Sequence, residues 1–241
     1  MNAVDSETRP PADPAQTDRP NLPAHELVYQ RLKAQILFGE MAPGQPVTIQ
    51  GLTQALGAGM TPVREAIRRL TSDGALTFQG NRRVSVPELG PDDLNQLIFI
   101  RKTIEPELAY RAAARVSGAD VAQLRALDTQ LDQAIAAGDV PMYLRRNYEF
   151  HASLYAKASA PVLAELADRI WLRFGPSLRV VCGRFGTASL PDRHKDLLAA
   201  LVTGDAPAAR RAMAQDVEQG MDLIATVFHA PEQRADSIDS E

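Results

Sequence analysis

The sequence has a single cysteine, Cys182, among its 241 residues. One thiol cannot form an intramolecular disulfide, and zinc or iron–sulfur sites built from several cysteines need two to four converging thiolates. The composition therefore excludes a disulfide-stapled scaffold and a multi-cysteine metal site. We expect Cys182 to be a small residue of the core.

Long hydrophobic runs are also missing. The longest one, residues 197–202, has six residues, whereas about 20 are needed to cross a bilayer. The first five residues do not begin an apolar signal region either. We therefore expect a cytoplasmic protein that has no membrane partner.

The N-terminal segment lacks the residues that build a core. Residues 1–23 contain five of the 17 prolines but no glycine, no aromatic residue and only one leucine. Because such a composition cannot bury enough apolar surface to fold, we predict a disordered tail over residues 1–24, and a second one over residues 229–241. Two prolines and a glycine in residues 86–91 mark another break. This break divides the remaining chain into predicted domains of residues 25–88 and 91–228.

The net charge of −4 is unevenly distributed along the chain. Residues 25–88 contain seven basic and five acidic residues and carry a net positive charge. The segments on either side, residues 1–24 and 89–241, each carry a net negative charge. A local basic excess is what a phosphate-binding surface requires. A basic face exposed only to solvent has the same composition, so charge alone leaves both interpretations open.

Residues 25–88 contain three short helical patterns. Apolar residues recur every four positions in the first, and Thr48 and Gly57 bracket the second. We predict that Thr61 caps the third helix, because a proline follows it and an apolar stripe begins there. The opposite face of this third helix carries the polar residues Arg64, Glu65, Arg68 and Arg69.

A basic hairpin is predicted after the third helix. Residues 76–78 and 84–86 alternate like strands around a Gly-Asn-Arg-Arg turn at residues 80–83. Three helices followed by a hairpin is the element order of a winged helix-turn-helix, in which the third helix can enter the major groove of DNA. Units of this kind also serve as protein-interaction modules, so the pattern alone allows either function.

The third helix carries a string that resembles a known family. Residues 61–70 read TPVREAIRRL and residues 73–76 read DGAL, as in the DNA-binding domain of GntR-family bacterial transcription regulators. The segments RKTIE (101–105) and NYEFH (147–151), with Arg193-His194, are similar to the all-helical effector-binding (FCD) domain of the FadR subfamily. The resemblance implies a mostly α protein, with an N-terminal winged helix-turn-helix of three helices plus a short β-hairpin, followed by an all-α helical bundle that binds a ligand.

The resemblance also assigns the DNA contacts. Arg64 corresponds to the family's main base-reading arginine, neighbours on the same helix would contact phosphates or flanking bases, and residues 80–82 would form the wing. Met60 and Gln50 depart from the usual family residues at their positions, so the operator sequence cannot be copied from a relative. The residues assigned to DNA are Gln50, Thr61, Arg64, Arg68, Gly80, Asn81 and Arg82.

Residues 91–228 contain long helical patterns in which a few polar side chains share apolar stripes. Arg101 lies on the stripe of Leu97 and Ile104 and is therefore expected to point into the bundle. A buried guanidinium needs an anion, which an internal carboxylate such as Glu105 can supply. In the family this arginine holds a carboxylate of the effector, and on that ground we expect Arg101 to bind a small organic acid.

Four further polar residues fall on apolar stripes: Asn147, His151, His194 and Asp216. For an isolated inward histidine, a hydrogen bond to a core neighbour is the commoner role. The resemblance favours a divalent metal instead, and a mixed nitrogen and oxygen set suits Zn or Ni. The metal ligands would be Asn147, His151, His194 and Asp216, and the effector contacts would be Arg101, Asn147, His151 and His194.

The residues and the resemblance together predict a ligand-responsive, homodimeric transcription regulator that is not an enzyme. Two recognition helices would match an inverted-repeat operator in double-stranded DNA, and repression that the ligand relieves is the commoner behaviour in the family. A constitutive DNA-binding dimer without an effector is one alternative. A metal-dependent helical-bundle enzyme is another, disfavoured because the sequence has no HExxH motif, no Ser-His-Asp set and no phosphate-binding loop.

Overall fold

A computed structural model of the chain describes residues 22–79, 83–185 and 193–229. These residues form α-helices joined by short connections and one small sheet, and the predicted mostly α fold class is confirmed. The helices are α1 (Ala24–Leu37), α2 (Ile49–Leu56), α3 (Met60–Ser72), α4 (Pro91–Ala113), α5 (Gly118–Ala137), α6 (Val140–Ala156), α7 (Pro161–Phe185), α8 (His194–Thr203) and α9 (Ala206–His229). The strands are β1 (Pro46–Val47), β2 (Thr77–Gln79) and β3 (Arg83–Ser85).

The strands form one antiparallel sheet in the order β1-β3-β2. Val84 of β3 lies opposite Phe78 of β2 and opposite Val47 of β1. The hairpin of β2 and β3 was expected, whereas β1 was not. A strand of two residues is too short to show an alternating pattern, so the sequence carries no signal for it.

Helix α2 begins and ends where predicted, whereas α3 begins at a different residue from the one predicted. The hydroxyl of Thr48 accepts a hydrogen bond of 3.0 Å from a first-turn amide, and Gly57 ends α2 with a φ of 60°. The third helix begins earlier than predicted, because the carbonyl of Gly59 already accepts the amide of Val63 at 3.4 Å. The prediction that Thr61 caps this helix is therefore wrong, and Thr61 lies exposed in its first turn.

The apolar stripe of α3 packs against α1 and α2, as its spacing predicts. Val63, Ala66, Ile67 and Leu70 are all buried, together with Leu32 and Ile36 of α1. This small core leaves the opposite face of α3 exposed to solvent.

Helices α4 to α9 form the all-α bundle, in which α4 packs along α9 and α5 packs along α6. Helix α7 also touches the N-terminal unit. A Cβ added at Gly175 would lie 2.3 Å from the carbonyl oxygen of Leu37, so only glycine allows this approach of α1 to α7. In the part of the chain that the structure describes, no helix combines the length and the apolar character needed to cross a membrane.

Candidate functional site

Helix α3 presents a polar face beside the sheet. Thr61, Arg64 and Arg68 are exposed on this face, and Gln50 is exposed on α2. Arg64 and Arg68 line a concave surface with β1 and β3, to which Arg83 also contributes. Exposed guanidinium groups on one helix face can reach base edges and phosphates when the helix lies in a major groove.

Arg69 is held within the domain, although it was grouped with the other exposed arginines of the third helix. Its guanidinium donates to Glu26 on α1 at 2.6 Å and lies 3.6 Å from the centre of the Tyr29 ring. These contacts tie α3 to α1. Charge and spacing alone do not distinguish Arg69 from Arg68, which the resemblance assigns to DNA, whereas the packing of α1 does.

Arg83 is a candidate DNA contact that the residue-by-residue assignment missed. It is exposed at the start of β3 and shares the concave surface with Arg64. Its place in the basic turn was the signal that could have found it. The predicted wing residues Gly80, Asn81 and Arg82 lie outside the described residues.

A second group of polar residues meets inside the bundle. His151 from α6, His194 from α8 and Asp216 from α9 bring ligand atoms within 4.8 Å of one another. The Nε2 atom of His151 lies 3.3 Å from Nε2 of His194 and 3.3 Å from Oδ2 of Asp216. Both histidines are buried, and the carboxylate is only 11% exposed. Three predicted ligands thus converge although they are far apart in the sequence.

The neighbours of the two imidazoles assign their protons. The hydroxyl of Tyr155 donates its single proton to Glu105 at 2.6 Å, so Nδ1 of His151, 2.9 Å from that hydroxyl, must be the donor to it. Nδ1 of His194 faces the carboxylate of Asp128 at 3.5 Å. The Nε2 atom of His151 is then left with a lone pair that points toward the shared centre, and His194 with its proton on Nδ1 would present Nε2 in the same way.

The pKa of His151 is consistent with a neutral imidazole. Burial lowers the pKa of His151 below its usual value, which keeps the imidazole neutral near pH 7. Burial alone would raise the pKa of Asp216, but a proton shared with His151 or His194, together with the backbone amide of Arg193, outweighs this effect and holds the pKa below the usual range. Burial also raises the pKa of Tyr155, so its phenol keeps its proton.

The donor set fits a divalent cation. Two neutral imidazoles and one carboxylate face a common centre, and among three such acceptors only a proton or a metal ion can lie stably. Hydrogen bonds to the far side of a metal-binding imidazole are what orients it in known sites. Asn147 lies one helical turn before His151 and lines the same cavity, where a fourth ligand is predicted.

Arg101 is buried close to these residues. Its guanidinium donates to both oxygens of Glu105, at 2.6 and 2.9 Å, and to the sulfur of Met221 at 3.1 Å. The planar group also lies 4.7 Å from the centre of Trp171 and 4.3 Å from that of Phe174. The structure thus contains the internal salt bridge that the sequence left open as the alternative to an effector carboxylate.

A small cavity connects these groups. It has a volume of about 40 Å³, and Arg101, Asn147, His151 and Asp216 are among its lining residues. His194, also predicted to contact the effector, is not among them and lies buried behind the wall. Pockets for drug-sized ligands measure about 300–1,000 Å³, so only a few atoms can enter this cavity without movement of its walls.

The sequence matches known proteins in both halves. Residues 24–86 match the family described as bacterial regulatory proteins, gntR family, and residues 96–219 match the FCD domain. The HTH-type transcriptional regulator McbR of Escherichia coli (strain K12) is 31% identical over 200 residues, which cover 82% of this chain and 90% of that protein. The chain belongs to the GntR family. It is a GntR regulator with an FCD domain, as the resemblance implied.

Further relatives of this GntR-family regulator agree with that result. The HTH-type transcriptional repressor RspR of Escherichia coli (strain K12) is 25% identical over 204 residues, or 83% of this chain and 88% of the repressor. The solved structure of E. coli McbR/YncC has a TM-score of 0.80 at 29% identity and covers 86% of this chain and 99% of its own. The GntR-family chain is therefore a DNA-binding transcription regulator with an effector-binding domain, and not an enzyme.

Proposed function

We propose that this regulator is a homodimeric repressor whose affinity for DNA changes when a small carboxylate binds beside a metal ion in the FCD domain. The observation that carries the proposal is the meeting of His151, His194 and Asp216, whose ligand atoms lie within 4.8 Å of one another. Such a centre attracts a cation, and a bound cation in turn attracts an anion.

The metal would be held by the two Nε2 atoms and the Asp216 carboxylate, with Asn147 as the fourth ligand. A bound Zn²⁺ or Ni²⁺ would supply positive charge and an open position for a carboxylate oxygen. The chain's own residues orient the site, because Tyr155 and Asp128 hold the far nitrogens of the imidazoles.

Arg101 would act on the effector through only part of its guanidinium. Two of its nitrogens already donate to Glu105, which leaves the Nη1 group that faces Met221. We therefore propose that the effector is a small organic acid with one carboxylate near the metal and a second polar oxygen near Nη1. The cavity of about 40 Å³ excludes larger ligands unless α7 moves.

The proposed binding to DNA rests on the exposed face of α3. Arg64 would read base edges, Thr61, Arg68 and Gln50 would contact the flanking DNA, and residues 80–82 would form the wing. Two copies of this surface in a homodimer would match an inverted-repeat operator. We place this function in the cytoplasm, where bacterial DNA lies.

Metal content tests the proposal most directly. Untagged protein supplemented with Zn²⁺ or Ni²⁺ and then dialysed should retain about one equivalent per chain by elemental analysis. The variant His194→Ala should lose this metal, whereas His25→Ala, which removes an exposed histidine on α1, should keep it. Retention of less than about a tenth of an equivalent by the unaltered protein would contradict the metal site.

A constitutive DNA-binding dimer is the second candidate, since the cavity is small and Arg101 is already paired within the protein. Thermal-shift measurements with a panel of organic acids and sugar acids, run with metal present, separate the two functions. An effector at about 100 times its Kd should stabilise the protein by about 2.7 kcal/mol. Stabilisation by no member of the panel would favour the constitutive dimer.

A further inference from the structure

Helix α7 lies between the buried site and the DNA-binding domain. Trp171 and Phe174 on one side of this helix line the cavity. Asp168 and Gly175, on the adjoining part of the helix surface, contact α1 through Lys33 and through the backbone of Leu37. A displacement of α7 at the cavity therefore reaches α1 directly.

Trp171 is in contact with the site itself. Its ring centre lies 5.0 Å from that of His151 and 5.7 Å from that of Tyr148. The guanidinium of Arg101 lies 4.7 Å above the same indole. Because the interior is close-packed, a group larger than the few atoms that the cavity holds must displace this ring when it binds beside His151.

Asp168 lies one helical turn before Trp171 and joins three helices. Its Oδ1 atom accepts a hydrogen bond of 2.5 Å from the hydroxyl of Tyr148 on α6, and its Oδ2 atom accepts one of 2.5 Å from Lys33 on α1. Burial and the facing carboxylate raise the pKa of Tyr148, so its phenol stays a donor. One carboxylate thus joins the effector domain to the DNA-binding domain.

Helix α1 is in turn bonded to α3. Arg69 on α3 pairs with Glu26, and the hydroxyl of Tyr29 donates to Asp73 at the end of α3 with a distance of 3.0 Å. These bonds and the shared apolar core hold α1 and α3 together. A force on Lys33 is therefore passed to the reading face of α3, which is the exposed face that carries Thr61, Arg64 and Arg68.

We propose that Asp168 is the positioning residue that couples the His151 cavity to DNA binding, through its hydrogen bonds to Tyr148 and Lys33. The proposal rests on the function proposed above and names how that site is regulated. Coupling of this kind is reciprocal: if metal or effector changes the affinity for DNA, DNA changes the affinity for metal by the same factor.

The single tryptophan of the chain provides the measurement, because Trp171 adjoins both His151 and Tyr148. Zn²⁺ is titrated by tryptophan emission with and without a duplex that the protein selects from random DNA. The unaltered protein should show a coupling factor of at least about fivefold. Lys33→Met and Tyr148→Phe should reduce this factor below about twofold, while Zn²⁺ alone and DNA alone bind with little change.

Lys102→Met is the matched control. It removes another lysine, paired at 2.5 Å with Glu218 on the surface of the bundle and away from α1, and should leave the coupling factor unchanged. Coupling in both Lys33→Met and Tyr148→Phe equal to that of the unaltered protein would overturn the proposal. The same holds if Zn²⁺ binds the unaltered protein with no coupling to DNA.

A second readout separates failure of this inference from failure of the metal site. Saturation with DNA in the absence of metal should change the emission of Trp171 in the unaltered protein and not in Lys33→Met. If Zn²⁺ does not bind but this DNA response is present and needs Lys33, the metal proposal fails and the coupling through Asp168 stands. If the unaltered protein shows no emission change with DNA, the coupling through Asp168 is refuted.

Discussion

The reading face of α3 and the buried site of the bundle contain the same type of residue in opposite surroundings. The side chain of Arg68 is 79% exposed and has a loose contact of 3.4 Å with Glu65. The side chain of Arg101 is 6% exposed and bonds both oxygens of Glu105. An exposed guanidinium adds little to folding and remains available to DNA, whereas a buried one holds its neighbours in place and is expensive to leave unpaired.

This difference predicts opposite effects of substitution in the two regions. Changes on the reading face should weaken DNA binding and leave folding intact. Changes in the buried site should reduce stability first. The following substitutions test that contrast, beginning with the largest effect.

Glu105→Leu should have the largest effect on stability. The substitution leaves the buried guanidinium of Arg101 without an anion and removes the acceptor of the Tyr155 hydroxyl. Removal of one partner of a buried ion pair costs about 3–5 kcal/mol of the free energy of unfolding. Urea denaturation followed by circular dichroism would measure the loss.

The double variant Arg101→Met with Glu105→Leu is the control for this prediction. It replaces the whole pair by apolar side chains, so most of the lost stability should return. A single variant as stable as the unaltered protein would show that water or another residue satisfies Arg101, and the contrast between the two regions would fail.

The sequence shows how far such contrasts can be foreseen. The pair of Arg101 and Glu105 is local, because residues four positions apart share one helix face. The sequence alone therefore suggested this salt bridge as the alternative to an effector carboxylate. The bond from Tyr155 to Glu105 joins residues 50 positions apart on α6 and α4. No periodicity within one helix specifies which turns of two helices meet, so this part of the site needed the tertiary structure.

The same reason explains the outcome on α3. Its apolar stripe is a local pattern and identified the buried and exposed faces correctly. The different contacts of Arg68 and Arg69 depend on Glu26 and Tyr29 of α1, about 40 residues earlier in the sequence. Charge and spacing alone could not have separated the two arginines.

Arg64→Ala should have the next largest effect, and it should act on binding instead of folding. Loss of a guanidinium that bonds a base is expected to reduce specific DNA affinity by about 1–3 kcal/mol. Titration of a selected duplex at fixed salt would measure this change, and urea denaturation should give a midpoint equal to that of the unaltered protein.

Arg125→Ala is the matched control, since it removes an exposed arginine on α5 in the other domain. Its specific affinity for the duplex should be unchanged. Equal affinities of Arg64→Ala and the unaltered protein would mean that Arg64 does not read bases, and the reading surface would have to be assigned to other residues.

Tyr29→Phe should have the smallest effect. It refines the comparison of the two regions, because Tyr29 belongs to the DNA-binding domain but is buried and hydrogen-bonded, like the residues of the bundle site. Burial and its bond to Asp73 raise the pKa of this phenol to about 12. Loss of the bond should lower the free energy of unfolding by about 0.5–1.5 kcal/mol, while the ring that Arg69 covers is retained.

Tyr110→Phe, on the exposed face of α4 beneath Arg210, is the control and should change stability by less than about 0.5 kcal/mol. If the two variants are equally stable, the bond between Tyr29 and Asp73 contributes nothing measurable, and the hold of α1 on α3 rests on Arg69 and the apolar core.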